Sequence, residues 1–230
     1  MAKGLQHKGI VRRNKMLHAA IKLFLKNGYE KTTTASIAKE AGMTPSSFFA
    51  AFESKEELLL TLVKIMFGNQ FESASQFGEV SDDPVLLYST ETSLQIYTAE
   101  LSEPLKEIYV MAYSLPSTSE YIYGSMAGRL QKIFSRYMPD AELKDFYEMD
   151  IASAGIMRAY MAKPCDMYFT IKNKLTRFLQ SSLTLYSVPK EVQAQIIDSI
   201  LKMDLQSYAE QMIQRMVEIA QNGIPLVSEE

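Results

Sequence analysis

Apolar residues recur along this chain at intervals of three and four positions, which is the spacing of one face of an α-helix. Leu17, Ile21, Phe24 and Leu25 form the first such stripe, and similar stripes return in later segments. No segment alternates apolar and polar residues over the length of a strand, so the pattern predicts no sheet. Helices are predicted over residues 11–27, in two short pieces between 33 and 52, and over 55–76, 84–102, 104–115, 120–138, 141–163, 167–187 and 189–222. Residues 1–9 show no period, and we expect them to be disordered.

Helix start and stop signals are dense between residues 28 and 58. Thr33 or Thr34 can cap a short helix by accepting a bond from an orphan amide. Gly42 suits its C-terminus, because glycine enters the left-handed region without strain. Thr44 is then expected to cap a second short helix, with Pro45 at its first position.

The residues that follow complete the unit. Phe48 and Phe52 are four positions apart and should face inward together. Ser54 and Glu57 have the spacing of a capping box, which starts the next helix. Two short helices joined by a turn containing Gly are typical of a DNA-reading helix-turn-helix.

The order of these residues resembles the N-terminal domain of TetR-family transcriptional regulators over roughly residues 10–65. The resemblance is carried by Gly28-Tyr29, Thr33, Ile37-Ala38, Ala41-Gly42-Met43-Thr44, Phe48-Phe49, Phe52 and Ser54-Lys55-Glu56-Glu57-Leu58. The remainder of the chain matches the family only in length and helical character. The resemblance implies an all-α fold: a three-helix helix-turn-helix DNA-binding domain at residues 1–60, then a helical ligand-binding and dimerisation bundle at 61–230. The boundary is expected inside the helix over 55–76.

Residues that contact DNA are inferred from the same resemblance. Basic side chains at the start of the first helix should lie beside the phosphate backbone, as should Thr33 and Lys55. Residues of the second short helix should read the bases, with Ala50 as a methyl contact to thymine. The expected set is Arg12, Arg13, Lys15, Thr33, Thr34, Thr44, Pro45, Ser46, Ser47, Phe49, Ala50 and Lys55.

The sequence departs from the family where DNA is touched. Phe49 stands where a Tyr hydroxyl usually reaches a phosphate, and Ala51 and Ala35 stand where longer polar residues are common. These changes remove phosphate donors. An alternative hypothesis is therefore a TetR-like helical protein with weak or no DNA binding, which acts through protein contacts.

The C-terminal part resembles the family's regulatory domain, which implies a pocket for a small-molecule effector, predicted to be apolar or aromatic. The candidate lining residues are Tyr88, Glu91, Tyr97, Tyr109, Met126, Leu130, Phe134, Met157 and Tyr160. Stripes of Met and Tyr at helical spacing are also what an ordinary core contains. Glu91 is more informative, because a carboxylate beside an apolar stripe is costly unless it is paired; its partner could be a ligand cation, a ligand hydroxyl or Arg129.

The resemblance also implies a homodimer, because two recognition helices must meet the two half-sites of a pseudo-palindromic double-stranded DNA operator. A small molecule that binds the DNA-incompetent arrangement more tightly would release such a repressor from its operator. Apolar residues on the late helices are available for pairing, and their division between core and interface stays open. They are Ile156, Tyr160, Phe178, Leu179 and Leu183.

Composition supports these predictions. The chain has 230 residues, of which 47% are hydrophobic and 22% charged, as in an ordinary globular protein. Residues 1–55 carry ten Lys and Arg but only three Glu, whereas the whole chain has a net charge of −3, so the N-terminal part alone favours a polyanion. The single Cys165, with no evident signal peptide and no membrane span, fits a cytoplasmic protein.

An enzyme finds little support. The sequence has no Gly-rich phosphate loop and no Cys pair, and both histidines precede residue 19. We therefore expect no catalytic residue, metal or cofactor, and an all-α enzyme or helical cofactor-binding protein is the less favoured alternative.

Overall fold

The computed structural model of the protein describes residues 2–76 and 83–222, and these residues form helices joined by short turns. The helices are α1 (Ala2–Asn27), α2 (Thr34–Glu40), α3 (Pro45–Phe49), α4 (Lys55–Gln76), α5 (Pro84–Leu101), α6 (Glu103–Ala112), α7 (Pro116–Phe134), α8 (Leu143–Ala162), α9 (Ile171–Leu185), α10 (Lys190–Lys202) and α11 (Leu205–Asn222). No strand occurs in the described ranges. The predicted all-α fold is confirmed.

The first three helices close around a small apolar core. Phe24 of α1, Ile37 of α2 and Phe48 of α3 are almost completely buried, and they meet Phe52 and Leu58 at the start of α4. Gly28 ends α1 with φ +82°, and Gly42 ends α2 with φ +70°, both in the left-handed region that favours glycine. The helix-turn-helix predicted between residues 28 and 58 is therefore present.

Helix α5 lies at the centre of the larger, C-terminal part. It contacts α4 and each of α6 to α11. Most of its side chains are buried even though many of them are polar. Its hydroxyls bond back to carbonyls one turn earlier, as Ser89 does to Val85 and Thr92 to Tyr88. A helix surrounded on all sides needs such internal partners, because no water can supply them.

An aromatic cluster fills the core on one side of α5. The rings of Phe134 and Tyr186 stack with centroids 4.2 Å apart, and Tyr88 meets Phe134 edge-on at 5.2 Å. Phe146 and Phe178 are fully buried nearby. The late apolar residues Phe178, Leu179 and Leu183 are all 0% exposed within one chain, so they belong to the core and not to an interface between chains.

The structure corrects several predicted bounds. Helix α1 begins at Ala2, so the expected disorder of residues 2–9 is wrong. Helix α7 begins at Pro116 instead of 120. The helix predicted over residues 167–187 begins only at Ile171, because the Asp166 carboxylate accepts the amides of Tyr168 and Phe169 in the preceding turn and Thr170 caps α9.

The helix predicted over residues 189–222 is two helices. Met203 has an extended backbone, and the Asp204 carboxylate accepts the amide of Ser207 to start α11. An aspartate can start a helix without any Gly or Pro before it. The loop predicted at 78–83 falls mostly outside the described residues, as does the stop at Gly223 and Pro225. The expected domain boundary near residue 60 stays a prediction.

Candidate functional site

The helix-turn-helix is held by a capping box at its first helix. The amide of Ser36 donates to the Thr33 hydroxyl at 3.1 Å, and the amide of Thr33 donates to the Ser36 hydroxyl at 3.0 Å. Thr33 is thus the cap, and Thr34 is the first helical residue. At the start of α4 the amide of Glu57 donates to the Ser54 hydroxyl, while the Glu57 carboxylate reaches back to the amide of Glu53, one residue earlier than expected.

Helix α3 presents small polar groups to solvent. Thr44, Pro45, Ser46 and Ala50 are exposed, and Ser47 is half-buried. Thr44 is the N-cap residue of α3, as predicted, but its side chain makes no bond to a backbone amide. Its hydroxyl instead contacts the hydroxyls of Ser46 and Ser47 at 3.0 and 2.9 Å. Three hydroxyls therefore form one cluster on the surface of α3.

Phe49 is the most exposed large apolar side chain of the helix-turn-helix. It is 60% exposed and meets buried Phe48 edge-on. Phe49 therefore lies on the surface of α3, on the helix that carries the hydroxyl cluster.

Arg13 is not available as a simple phosphate contact. Its guanidinium donates to the carbonyl of Ala51 at 2.8 Å and to the side chains of Glu57 and Thr61 at 3.2 Å. It also lies 4.2 Å from the centre of the Phe52 ring. The structure thus places Arg13 between α1 and α4, where it holds the domain together. Arg12 is half-buried and Lys15 is exposed.

Lys55 is occupied in the same way. Its ammonium donates to the carbonyls of Tyr29 and Thr32 at 2.9 and 3.0 Å, and it lies 4.1 Å from the centre of the Tyr29 ring. Burial lowers its pKa, although Glu107 and Glu30 act in the opposite direction. Lys55 therefore holds the loop after α1 in this structure, and its expected contact with a DNA phosphate stays a prediction.

Two contacts join the helix-turn-helix to the larger bundle. The Glu107 carboxylate of α6 accepts the amide of Glu30, and a Cβ on Gly28 would lie only 2.0 Å from one of its oxygens. On α7 the Ser117 hydroxyl donates to the Glu56 carboxylate of α4 at 2.6 Å. Both α6 and α7 thus touch the helix-turn-helix part through polar contacts.

A cavity inside the bundle lies between α5, α6, α7, α8 and α9. Its free volume is about 30 Å³, enough for a water molecule or a small polar group. The lining residues are Tyr88, Glu91, Thr92, Gln95, Tyr113, Ile122, Met126, Asp150, Ser153, Ala154, Met157 and Phe178.

Four of the predicted ligand residues line this cavity, namely Tyr88, Glu91, Met126 and Met157. The other five do not. Leu130 and Phe134 are core residues, Tyr97 lines a separate groove, and Tyr160 packs on Phe169. Tyr109 is buried as well, and its burial, with a smaller contribution from Glu91, raises its pKa. Sequence reasoning missed Asp150, although it shares the signal that identified Glu91: it lies on the buried face of α8 between Phe146 and Met157.

Both carboxyl groups of the cavity are buried, and burial disfavours their ionised forms. Burial raises the pKa of Glu91 to about 8, with partial compensation from Arg129. Burial also raises the pKa of Asp150 to about 7, despite the nearby Tyr186 hydroxyl. Glu91 Oε2 and Asp150 Oδ2 have no hydrogen-bond partner. Perturbed, unpartnered groups that line a cavity mark a candidate binding site.

The described residues contain no group of three His, Cys, Asp or Glu side chains arranged to hold a metal ion. Within the same ranges, no helix has the length and apolar character needed to cross a membrane.

Comparison with known proteins identifies the class. Residues 16–62 match the model of the family described as bacterial regulatory proteins, tetR family. The chain is 34% identical over 83 residues to the HTH-type transcriptional regulator TcmR of Streptomyces glaucescens, which covers 36% of each chain. It is 28% identical over 129 residues to QacR of Staphylococcus aureus, which covers 55% of this chain and 64% of QacR. Residues 16–62 therefore match the DNA-binding domain of the tetR family, in agreement with the resemblance seen in the sequence.

These matches to curated relatives span less than two thirds of the relatives' own lengths. Solved structures cover more of the fold. The structure of RolR in complex with resorcinol superposes with a TM-score of 0.66 at 15% identity, over 83% of this chain and 95% of RolR. SmeT, the repressor of a Stenotrophomonas maltophilia multidrug efflux pump, gives 0.54 at 19% identity, over 77% and 91%. TcmR and QacR are transcriptional regulators, in agreement with the prediction that the chain is not an enzyme.

The buried Glu91 predicts an unusual pH dependence of stability. Its carboxyl has a pKa of about 8 when folded against 4.5 for the unfolded group, so the unfolded state loses its proton first and stability falls as pH rises between these values. Glu91→Gln removes this loss. We expect the variant to gain roughly 2–4 kcal/mol relative to the unmodified protein between pH 5 and pH 8.5, measured by chemical unfolding.

Glu148→Gln is the matched control, because Glu148 is an exposed carboxylate on α8. It should change stability equally at both pH values. An equal effect of Glu91→Gln at pH 5 and pH 8.5 would contradict the burial of an ionisable group at this position.

Proposed function

We propose that the protein is a dimeric, DNA-binding transcriptional regulator whose operator affinity is lowered by a small molecule bound in the cavity. The observation that supports this most directly is the exposed hydroxyl cluster of α3, which lies within the helix-turn-helix that matches the TetR family model. The domain boundary near residue 60 of α4 and the site residues are part of the proposal.

The internal hydrogen bonds of Arg13 and Lys55 change which side chains would contact DNA. With Arg13 and Lys55 engaged inside the domain, phosphate contacts fall to Arg12, Lys15 and the Thr33 and Thr34 hydroxyls. Base readout is assigned to Thr44, Pro45, Ser46, Ser47 and Ala50 of α3, with Phe49 beside them. No Arg is present there to pair with guanine, so discrimination per base should be modest and DNA shape should contribute.

The alternative is a helix-turn-helix that serves protein contacts only. The exposed ring of Phe49 and the internal roles of Arg13 and Lys55 favour it. A binding measurement on DNA separates the two proposals.

Two substitutions test the DNA-binding proposal. Lys15→Ala should weaken binding to operator and random duplex alike, and it should flatten the slope of log affinity against log salt by about one unit per subunit. Ser46→Ala should instead cost about 1 kcal/mol at one or two positions of each half-site, with little change in the slope. Fluorescence anisotropy with the DNA upstream of the protein's own gene, at several salt concentrations, gives both quantities.

Lys190→Ala serves as the control, since Lys190 is an exposed lysine at the start of α10. It should leave affinity and slope unchanged. If the unmodified protein binds neither duplex at low salt, the protein-contact alternative is correct.

Pairing of two chains is assigned to the exposed faces of α8 and α9. Ile151, Ala152, Gly155, Ala159 and Ala162 are exposed on α8, although they are apolar or small. Such a face lets two helices approach closely, because interaxial distance depends on the side chains at the contact. Of the sequence candidates, only Ile156 and Tyr160 are partly exposed on α8.

Gly155→Arg should convert the dimer to a monomer. A Cβ at Gly155 meets nothing within 4 Å in the single chain, so the monomer should accept the substitution. Gly124 on α7 is equally open and exposed, and Gly124→Arg should stay dimeric. Sedimentation at micromolar concentration distinguishes these outcomes, and a dimeric Gly155→Arg protein would move the interface elsewhere.

The cavity is smaller than a typical ligand. Its size indicates how the binding of an effector would change the position of the helix-turn-helix. Small-molecule sites usually measure about 300–1,000 Å³, so an effector must widen this one. Tyr113 at the end of α6 and Met126 of α7 form part of its wall. The same two helices hold the DNA-binding part through Glu107 and Ser117. Widening the cavity would therefore move α6 and α7, the two helices that contact the helix-turn-helix.

Glu107→Ala should weaken the contact between α6 and the loop after α1. The amide of Glu30 loses a charged acceptor, and we expect its hydrogen exchange to accelerate roughly tenfold or more. Glu103→Ala removes an exposed carboxylate from the same helix and should leave that amide unchanged. Unaltered exchange at Glu30 in the Glu107 variant would show that α6 does not restrain the loop after α1.

A further inference from the structure

Two acidic side chains approach the cavity from different helices. Glu91 comes from α5 and Asp150 from α8, and both line the same space. They are 5% and 7% exposed, and each has one oxygen without a hydrogen-bond partner. Buried polar groups are normally satisfied, so two unsatisfied carboxyl oxygens in one cavity need an explanation. The stability of the fold does not explain these two carboxyls, because neutral residues of the same shape would stabilise the protein more at these positions.

The charged and titratable groups around the pair do not satisfy it. Arg129 of α7 lowers the pKa of Glu91 only in part. Tyr88 of α5 and Tyr109 of α6 are neutral, and the Tyr88 hydroxyl is used by Ser153 and Ser182. Tyr113, at the end of α6, donates to Gln95, and its burial, together with the nearby Asp150 and Glu91, raises its pKa well above the ordinary value. Tyr186, after α9, is the neighbour of Asp150.

The remaining walls suit an organic cation. Tyr113 and Phe178 present aromatic rings, whose faces attract positive charge. Met126 and Met157 add flexible side chains that can repack around a ligand. An anion would be repelled by two carboxylates, and a purely apolar molecule would leave their oxygens unpartnered.

We propose that the effector is an organic amine, whose protonated nitrogen binds between Glu91 and Asp150 while its apolar body widens the cavity towards α6 and α7. This inference rests on the proposed ligand-responsive function and names the class of ligand for that site. An ammonium group donates up to three hydrogen bonds, which matches the two unpartnered oxygens and one further acceptor. The ammonium group also fits the free volume of the cavity, whereas the rest of the ligand requires the cavity to expand.

Binding of a cation must also shift the protonation of the site. At neutral pH Glu91 is largely protonated and Asp150 about half protonated, since burial raises their pKa values to about 8 and 7. A bound ammonium favours the ionised carboxylates, so binding releases protons and affinity rises with pH. The amine itself stays protonated to about pH 9, because alkylammonium groups resemble Lys.

The probe is phenethylamine, compared with its neutral near-isostere 2-phenylethanol and with resorcinol. Calorimetry on the full-length protein at pH 6.0, 7.0 and 8.5 should show phenethylamine binding at least tenfold more tightly than either neutral compound at pH 8.5. The ratio should shrink towards pH 6.0. Titrations in two buffers with different ionisation enthalpies should show proton release for the amine alone.

Variants assign the effect to the two carboxyls. Glu91→Gln and Asp150→Asn keep the shape of the neutral groups, and each should remove most of the preference for the amine and reduce proton release. Glu148→Gln changes an exposed carboxylate of α8 and should behave like the unmodified protein. Circular dichroism and the melting temperature establish that each variant is folded.

The outcomes separate this inference from the proposed function. Equal or tighter binding of 2-phenylethanol or resorcinol overturns the amine assignment, as does a preference that persists in both variants. If phenethylamine binds with proton release but leaves DNA affinity unchanged, the amine site stands and the switch fails. If a neutral compound lowers DNA affinity and the amine does not bind, the switch stands and the amine site fails.

Discussion

The structure depends on burying a polar helix. Helix α5 touches α4 and α6 to α11, so none of its faces is left for water. The hydroxyls of Ser89, Thr90 and Thr92 are satisfied within the helix by carbonyls one turn back, which removes most of their desolvation cost. Ser93 and Thr98 have no such partner, and neither does one oxygen of Glu91. Of these three groups, only the ionisable Glu91 lines the cavity.

The same constraint places the proposed effector site and a cost in stability at one position. Glu91 and Asp150 destabilise the folded bundle above about pH 5, since their ionised forms are disfavoured inside it. A ligand that supplies a donor relieves this cost, so its binding energy includes the satisfaction of groups that are already positioned. Unsatisfied groups that are already in position raise the affinity of a small site, even though its contact area with the ligand is small.

Local signals in the sequence predicted the helix-turn-helix well. Thr33, Gly42 and Pro45 act through atoms within a few residues of themselves, so their roles can be inferred before any fold is known. The break at Met203 was missed because Asp204 starts α11 without the Gly or Pro that a sequence pattern relies on. Arg13 and Lys55 were assigned to DNA because the sequence shows their charge but not their acceptors, which are backbone carbonyls of Ala51, Tyr29 and Thr32. Asp150 was missed because no sequence rule states which helix faces Glu91.

The small size of the cavity has a consequence for the time course of the response. A ligand that finds no ready-made space must wait for α6 or α7 to move, so association should be limited by the opening of the protein and not by diffusion. Its observed rate would then level off at high ligand concentration. Once the wall has closed again, the same barrier retains the ligand. A regulator built in this way responds to the sustained presence of its effector and filters out brief fluctuations in concentration.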